Sequence, residues 1–323
     1  MPAPRILLVK LSSLGDVVHL APAVTDLRER RPQARIAWAV EGPYADLVRL
    51  HPGVDEVIPV GLRALRARPW SPGAWRALRA SRRALGARPW DYVVDAQGLL
   101  KSACVARWSR STLFGLDRRS ARERVAARFY DVKVAVRRDM HAVERNRALF
   151  GEVFGYAPDS PARYGLAAPA APPAWAPPSR YAVLLHAASR REKRWPEDRW
   201  IALARLLADD GYTVVFPGGT PAEREAAARL AKSAGGAAIA APPMALSEAA
   251  ALLAHASGVV GVDTGLTHLA VALGVPTVGI YCATSPRLTG LHGGDLAVNL
   301  GAPGAPPEVE AVAAAAGVGR PRE

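Results

Sequence analysis

A carboxylate stands where an anion seat would be expected. Asp16 lies in VKLSSLGDVVHLAPA, residues 9–23, where a short apolar run ends, Ser12-Ser13-Leu14-Gly15 breaks the pattern, and a helical period resumes from about Val17. A strand, a glycine turn and a helix start normally receive a negative ligand, because free backbone amides and the helix dipole favour it. Read from the residues alone, an acid there is the cap of the next helix, and why it should replace an anion seat stays open. The densest signal comes later, in GVVGVDTGLTHLAVALGVPTVGIY, residues 258–281. Here a buried strand runs into Asp263-Thr264-Gly265: the amides of Thr264 and Gly265 would face an anion, Thr264 adds a hydroxyl, and glycine lets the ligand approach the backbone. Asp263 also reads as a helix cap. His268, one turn into the helix, faces either a ligand or the sheet.

Two further stretches supply complementary chemistry. HAASRREKRWPEDRW, residues 186–200, crowds Arg190, Arg191, Lys193 and Arg194 into one loop before an acidic helix start at Glu197 and Asp198. Four cations suit a diphosphate; a solvated loop is the plainer alternative. PGGTPAERE, residues 217–225, sets Glu223 at a strand-to-helix turn, where a carboxylate can accept from ribose hydroxyls.

These residues need a scaffold that presents loops at strand ends. Strand patterns at 6–9, 36–40, 56–60 and 92–95 alternate with helical patterns at 21–31 and 74–85; after residue 180, strands at 181–185, 213–216, 258–262 and 277–280 alternate with helices at 197–209, 221–233 and 267–273. Such alternation predicts an α/β protein of two parallel-sheet domains, with ligands at the strand carboxyl ends in the cleft between them. APDSPARYGLAAPAAPPAWAPPS, residues 157–179, is too rich in proline for a helix interior or central strand. The predicted organisation is therefore 1–158, a linker at 159–179 serving as a hinge, and 180–323, with the alanine-rich extreme C-terminus packing back on the first domain.

Charge is unevenly shared. Residues 1–165 hold 29 Lys and Arg against 16 Asp and Glu, whereas 166–323 hold 13 against 13. Residues 61–90 contain eight arginines, among them Arg63 and Arg66, and no acid. A general arginine enrichment would spread over both halves, so the first half points to a polyanion: nucleic acid, an anionic membrane, or a phosphorylated and carboxylated glycolipid. In the helix at 74–85, Trp75, Leu78 and Leu85 share one face and Arg76, Arg79 and Arg83 the other, which is either a solvated basic face or a membrane-surface helix. No apolar run approaches the ~20 residues of a membrane span and no signal-peptide pattern opens the chain, so a cytoplasmic location is expected. Cys104 and Cys282 fit no metal or disulfide spacing and read as buried free thiols. No GxGxxG follows a strand, no GxxxxGK[ST] occurs, and no motif calls for a metal or another obligatory cofactor. Aromatic content of 7% without a binding motif argues against nucleic acid.

The blocks VKLSSLGDVVHLAPAVTDLR, DAQGLLKSA at 95–103, HAVERNRALF at 141–150, HAASRREKRWPEDRW and VDTGLTHLAVALGVPTVGIY, in that order, resemble the lipopolysaccharide heptosyltransferase I family of glycosyltransferase family 9. The heptosyltransferase II sister shares the overall pattern, but DAQGLLKSA and SSLGDVVH read as type I. The resemblance implies a GT-B fold of two Rossmann-like domains, and inverting transfer of L-glycero-D-manno-heptose from ADP-heptose, a co-substrate, to a Kdo sugar of Kdo-lipid A. It implies Asp16 as the base and Lys10, Ser12, Ser13, Gly15, Arg63, Arg66 and Arg122 toward the acceptor. Toward the donor it implies Ser189, Lys193, Glu223, Met244, Asp263, Thr264, Gly265 and His268. One departure stands out: where relatives often place threonines after the histidine, this chain has Ala188 and Ser189, so one hydroxyl is lost. The same resemblance implies a monomer held peripherally at the cytoplasmic face of the inner membrane by its basic half. Another nucleotide-sugar transferase of the same fold, or a nucleic-acid-binding protein, are the competing readings.

Overall fold

The computed structural model describes residues 3–317. Two compact units divide the chain, one up to Ala167 and one from Ala168. The first holds six strands: β1 Arg5–Val9, β2 Arg35–Glu41, β3 Glu56–Val60, β4 Tyr92–Asp95, β5 Leu113–Leu116 and β6 Val132–Val134. They lie in the order β3-β2-β1-β4-β5-β6, every pair parallel. The second unit repeats the scheme with β7 Tyr181–Leu185, β8 Thr213–Phe216, β9 Ala238–Ala240, β10 Gly258–Val262, β11 Thr277–Ile280 and β12 Ala297–Leu300, ordered β12-β11-β10-β7-β8-β9 and again all parallel.

The central strands form where the sequence is apolar without interruption. Ile6 to Val9 in β1 and Val259 and Val260 in β10 are almost wholly buried, as strands covered by helices on both faces must be. Gly261 of β10 has a specific reason: a Cβ there would come within 2.4 Å of Thr267 Oγ1 and block the following helix from closing on the strand. Strand order reverses between β1 and β4 and between β7 and β10. At such a reversal the neighbouring connections leave on opposite faces, opening a crevice at the carboxyl ends.

Several boundaries differ from the sequence reading. The first helix starts at Leu14, not near Val17, because Ser13 takes the N-cap position. Strands β5, β6, β9 and β12 carry too few alternating apolar residues to stand out. The division between units falls inside the Pro/Ala-rich stretch, each part of which is tied to its own unit. Tyr164 is buried and the Ala167 amide donates to Leu50 O in the first, while His255 Nε2 bonds Pro169 O in the second. Helix Val309–Ala315 puts Val309 and Val312 into the core of the second unit, and residues 318–323, part of the tail expected on the first, lie outside the described residues. The expectation of two buried thiols is corrected: Cys104 is exposed on the outer side of helix Leu100–Ala106, and Cys282 is half-buried in the loop after β11. Among the described residues, no helix is long and apolar enough to cross a membrane.

Helix Ala142–Phe154, which carries the HAVERNRALF block, locks the first site from behind. Arg147, side chain 3% exposed, pairs with Asp26 on helix Ala21–Arg30 at 2.7 Å and donates to Ser160 O at 2.6 Å. Asn146 donates to His19 O and accepts weakly from Lys10 Nζ. Removing Asp26 leaves a buried guanidinium with Ser160 O and, as its remaining acidic partner among the described residues, Glu144 at 3.2 Å. Asp26→Ala is therefore expected to cost about 3 kcal/mol in urea unfolding, and Asp26→Leu combined with Arg147→Met markedly less, because the second change removes the stranded charge. Equal costs for the two variants would contradict this account of the pair.

Candidate active site

In the first unit, the reversal between β1 and β4 brings Lys10, Leu11 and Ser12 beside Ala96 and Gln97. The Gln97 side chain clamps the β1 end from both sides: Oε1 accepts from the Leu11 amide at 2.8 Å and Nε2 donates to Ser12 O. Gln97 is itself held by Asp95, fully buried, whose Oδ1 accepts from the Gln97 amide and whose Oδ2 accepts from Ser102 Oγ and Tyr130 OH at 2.8 Å each. Burial pushes the Asp95 carboxyl up against these four donors, the Gly98 amide included. Lys101 Nζ donates to Ser12 Oγ at 2.7 Å. Lys10, buried, donates to Ala96 O at 2.7 Å. Burial lowers its ammonium from the ordinary value, while the charges of Asp16 and Asp95 act the other way.

Asp16 is the third residue of helix Leu14–Val18. Its Oδ2 accepts from the Ser13 amide at 3.0 Å and lies 3.4 Å from Arg122 Nη1. Both contacts use the same oxygen. Among the described residues Oδ1 has no hydrogen-bond partner, and the side chain keeps 28% of its exposure. The acid thus closes the helix start in the manner of a capping box with one oxygen and offers the other to solvent.

The second unit resolves the opposite case. Asp263, at the end of β10, is 10% exposed; Oδ2 accepts from Lys193 Nζ at 2.6 Å and from Thr284 Oγ1 at 2.7 Å, and His268 Nε2 lies 3.5 Å from Oδ1. Burial alone would raise this carboxyl, but bonds from His268, Lys193 and Thr284 outweigh it and hold it well below the usual carboxylate range. Next to it, helix Gly265–Ala272 begins with Thr264 as N-cap and no side-chain cap bond, so its first amides remain available to an anion. Asp263 does not cap that helix.

Most of the expected donor residues therefore gather at the reversal between β7 and β10: Lys193, Asp263, Thr264, Gly265 and His268. Ser189 is exposed in the loop after β7 and Ala188 is buried. Glu223 begins helix Pro221–Ala234, its Oε2 accepting from the amides of Gly219 and Thr220 at 3.0 and 2.9 Å. Met244, half-buried, follows β9. Of the residues expected toward the acceptor, Lys10, Ser12, Ser13 and Gly15 share one turn region with Asp16, and Arg122 reaches it from the loop after β5. Arg63 and Arg66 instead lie on helix Leu62–Ala67 after β3, two strands out from β1, where Arg63 Nη1 donates to Tyr44 OH. Glu41, at the end of β2, accepts from the Arg63 amide at 3.1 Å, and burial raises its carboxyl. Sequence reasoning missed Glu41, Gln97, Lys101 and Thr284. Glu41 and Gln97 sit at or just beyond strand carboxyl ends, a positional signal that was legible; Lys101 lies in the first turn of the helix after β4, and Thr284 in a loop that no pattern marks. Among the described residues no cluster of three or more His, Cys, Asp or Glu is arranged to hold a metal ion.

Comparison with known proteins decides the family. The pattern of glycosyltransferase family 9 (heptosyltransferase) matches residues 78–316, well over half of the chain. The chain belongs to glycosyltransferase family 9. It is 42% identical over 301 residues to lipopolysaccharide heptosyltransferase 1 of Pseudomonas aeruginosa, covering 90% of this chain and 81% of that one. The E. coli heptosyltransferase WaaC with ADP matches with a TM-score of 0.88 at 40% identity, over 95% of this chain and 97% of that one. The same enzyme with ADP-2-deoxy-2-fluoro heptose gives 0.82 at 40% identity, over 93% and 94%. This family 9 enzyme is accordingly a glycosyltransferase, and its two parallel α/β units are those of the GT-B fold.

A pH test follows from Asp263. Because its folded pKa lies below the ordinary 3.8, the stability it contributes is complete above that value and is lost as the pH falls below it. Asp263→Asn is expected to lose about 2–3 kcal/mol at neutral pH, the worth of charged hydrogen bonds broken in a largely buried site. The gap to wild type should narrow progressively below pH 3.8. Urea midpoints across the acid range measure it, and a gap independent of pH would show that the carboxylate charge is not what matters.

Proposed function

We propose that this enzyme moves L-glycero-D-manno-heptose from ADP-heptose to a Kdo residue of Kdo-lipid A with inversion at the anomeric carbon. The observation that carries the reading is the Lys193–Asp263–His268 group at an uncapped helix start, in a chain 40% identical over 93% of its length to an enzyme solved with an ADP-heptose analogue. Lys193 and the amides of Gly265 and Leu266 take the diphosphate, supplying positive charge where negative charge grows as ADP departs. Glu223, beyond its cap bonds, meets the ribose; Met244 meets the adenine; Ser189 gives the remaining hydroxyl of its loop. In the first unit Lys10 and Arg122 hold the acceptor's carboxylate, with Arg63 and Arg66 toward its phosphates.

The chemistry is a single displacement. The acceptor hydroxyl oxygen attacks the anomeric carbon from the face opposite ADP, the bond from that carbon to the phosphate oxygen breaks, and Asp16 Oδ1 accepts the hydroxyl proton. Arg122 and the Ser13 amide hold the carboxylate by Oδ2, so the free oxygen keeps its orientation. The acceptor is a lipid, and the excess positive charge of the first half supports a single chain working at the cytoplasmic face of an anionic membrane.

ADP release from ADP-heptose with Kdo-lipid A as acceptor tests the proposal. Wild type is expected to release ADP only when both are present. Asp16→Asn, whose amide oxygen still accepts from Ser13, should fold normally and lose at least ~100-fold in turnover. Full turnover in that variant would remove Asp16 from the chemistry, and no release by wild type would end the reading.

A further inference from the structure

Residues 62–86 form a hairpin of two helices, Leu62–Ala67 and Pro72–Gly86, that the proposed chemistry leaves largely unused. Helix Leu62–Ala67 buries none of its residues, and Pro72–Gly86 buries only Ala74, Ser81 and Leu85. Trp75, grouped in the sequence with the apolar face, instead points out at 44% exposure, and Trp70 in the connecting turn is 93% exposed. The Trp75 indole N–H reaches back to Pro69 O at 2.9 Å, so its ring lies against the connecting turn that carries Trp70. Between the hairpin and β3 lies an open, largely apolar pocket of about 600 Å³ lined by Ile58, Val60, Ala64, Ala77 and Ala84 among others.

The charge pattern is equally one-sided. The hairpin has no acid of its own, whereas elsewhere on this unit several arginines find one, Arg28 with Asp55, Arg49 with Asp46, Arg107 with Asp131 and Arg163 with Glu29, and others such as Arg35, Arg118 and Arg124 stay exposed. On the hairpin Arg66, Arg68, Arg76, Arg79, Arg82 and Arg83 are all exposed, and none makes an ion pair among the described residues. A fully exposed tryptophan is unfavourable in water, and unpaired guanidinium groups leave their counter-charge to an outside partner. Indoles favour the headgroup level of a bilayer, apolar body inward and N–H toward the wet side, and arginines alongside favour anionic lipid. A nucleic acid would want aromatics interleaved along a basic groove; here they cluster at one tip.

We propose that this hairpin docks the enzyme on an anionic bilayer, with Trp70 and Trp75 inserted at headgroup level and the arginines of helix Pro72–Gly86 lying on lipid phosphates. The proposal deepens the membrane placement given above and rests on the acceptor being a membrane lipid, but its test is independent of turnover. Full-length enzyme is mixed with vesicles of phosphatidylethanolamine containing about one third phosphatidylglycerol, or of phosphatidylcholine alone, and bound protein and indole emission are measured. Wild type is expected to bind the anionic vesicles with a blue shift and the neutral ones weakly. Trp70→Ala with Trp75→Ala should weaken binding by about tenfold and abolish the shift, and Arg79→Glu with Arg82→Glu and Arg83→Glu should weaken it at least as much. Both variants touch exposed side chains, and unchanged thermal unfolding checks their fold. The tryptophan variant should release ADP normally with soluble deacylated acceptor and slowly with acceptor embedded in vesicles. Vesicle binding unaffected by the tryptophan changes, or a short DNA duplex bound more tightly than the vesicles, would overturn the proposal. Failure to release ADP with any acceptor would instead strike the proposed reaction and leave the docking result standing.

Discussion

A carboxylate removed from water must recover its lost solvation from donors, and Asp263 shows how completely this fold meets that demand. Lysine, threonine and histidine converge on one side chain at the end of β10. Because every one of those partners comes from a different segment, the loop after β7, the helix start at Gly265 and the loop after β11 are fixed relative to one another. The same rule governs Asp95 and Lys10 in the first unit, where backbone and side-chain partners replace water around buried charges. Charge at the strand carboxyl ends is thus the organising feature of both units, and the parallel sheets with their reversed strand order create the places for it.

Asp16 differs in one respect that suits it to the proposed role of base. Asp263 is saturated and held in its charged form, which makes it a poor proton acceptor and a good anchor for a lysine. Asp16 gives one oxygen to its helix start and to Arg122, and the other has no partner among the described residues. A base needs orientation and an open lone pair at once, and the capping arrangement supplies both. The two possibilities raised by the sequence, cap or base, turn out to be compatible because a carboxylate has two oxygens.

Much of this was legible in the residues. β1 from Ile6 on and β10 are apolar throughout, so their pattern matches their buried places, and Asp263, Thr264 and Gly265 fall at a strand end as the glycine and the apolar run predict. The first helix starts at Leu14, where Ser13 and Asp16 carry the Ser-x-x-Asp spacing that marks a helix start, although Gly15 between them also fits a turn. Trp75 was grouped with Leu78 and Leu85 by helical period, but the hairpin leaves that edge open and the indole outside. Gln97, in the loop after β4, and Lys101, on the helix that follows, hold the turn before Asp16 from a segment distant in sequence, and their partners there follow from the β1–β4 pairing.

The division of roles between Asp16 and the Lys193–Asp263 group is tested most directly by calorimetric titration of ADP into two variants, Asp16→Asn and Lys193→Met. The account predicts wild-type affinity for ADP in the first and a loss of at least about tenfold in the second, the worth of one charged contact to phosphate. Normal ADP binding in Lys193→Met together with its loss in Asp16→Asn would contradict it.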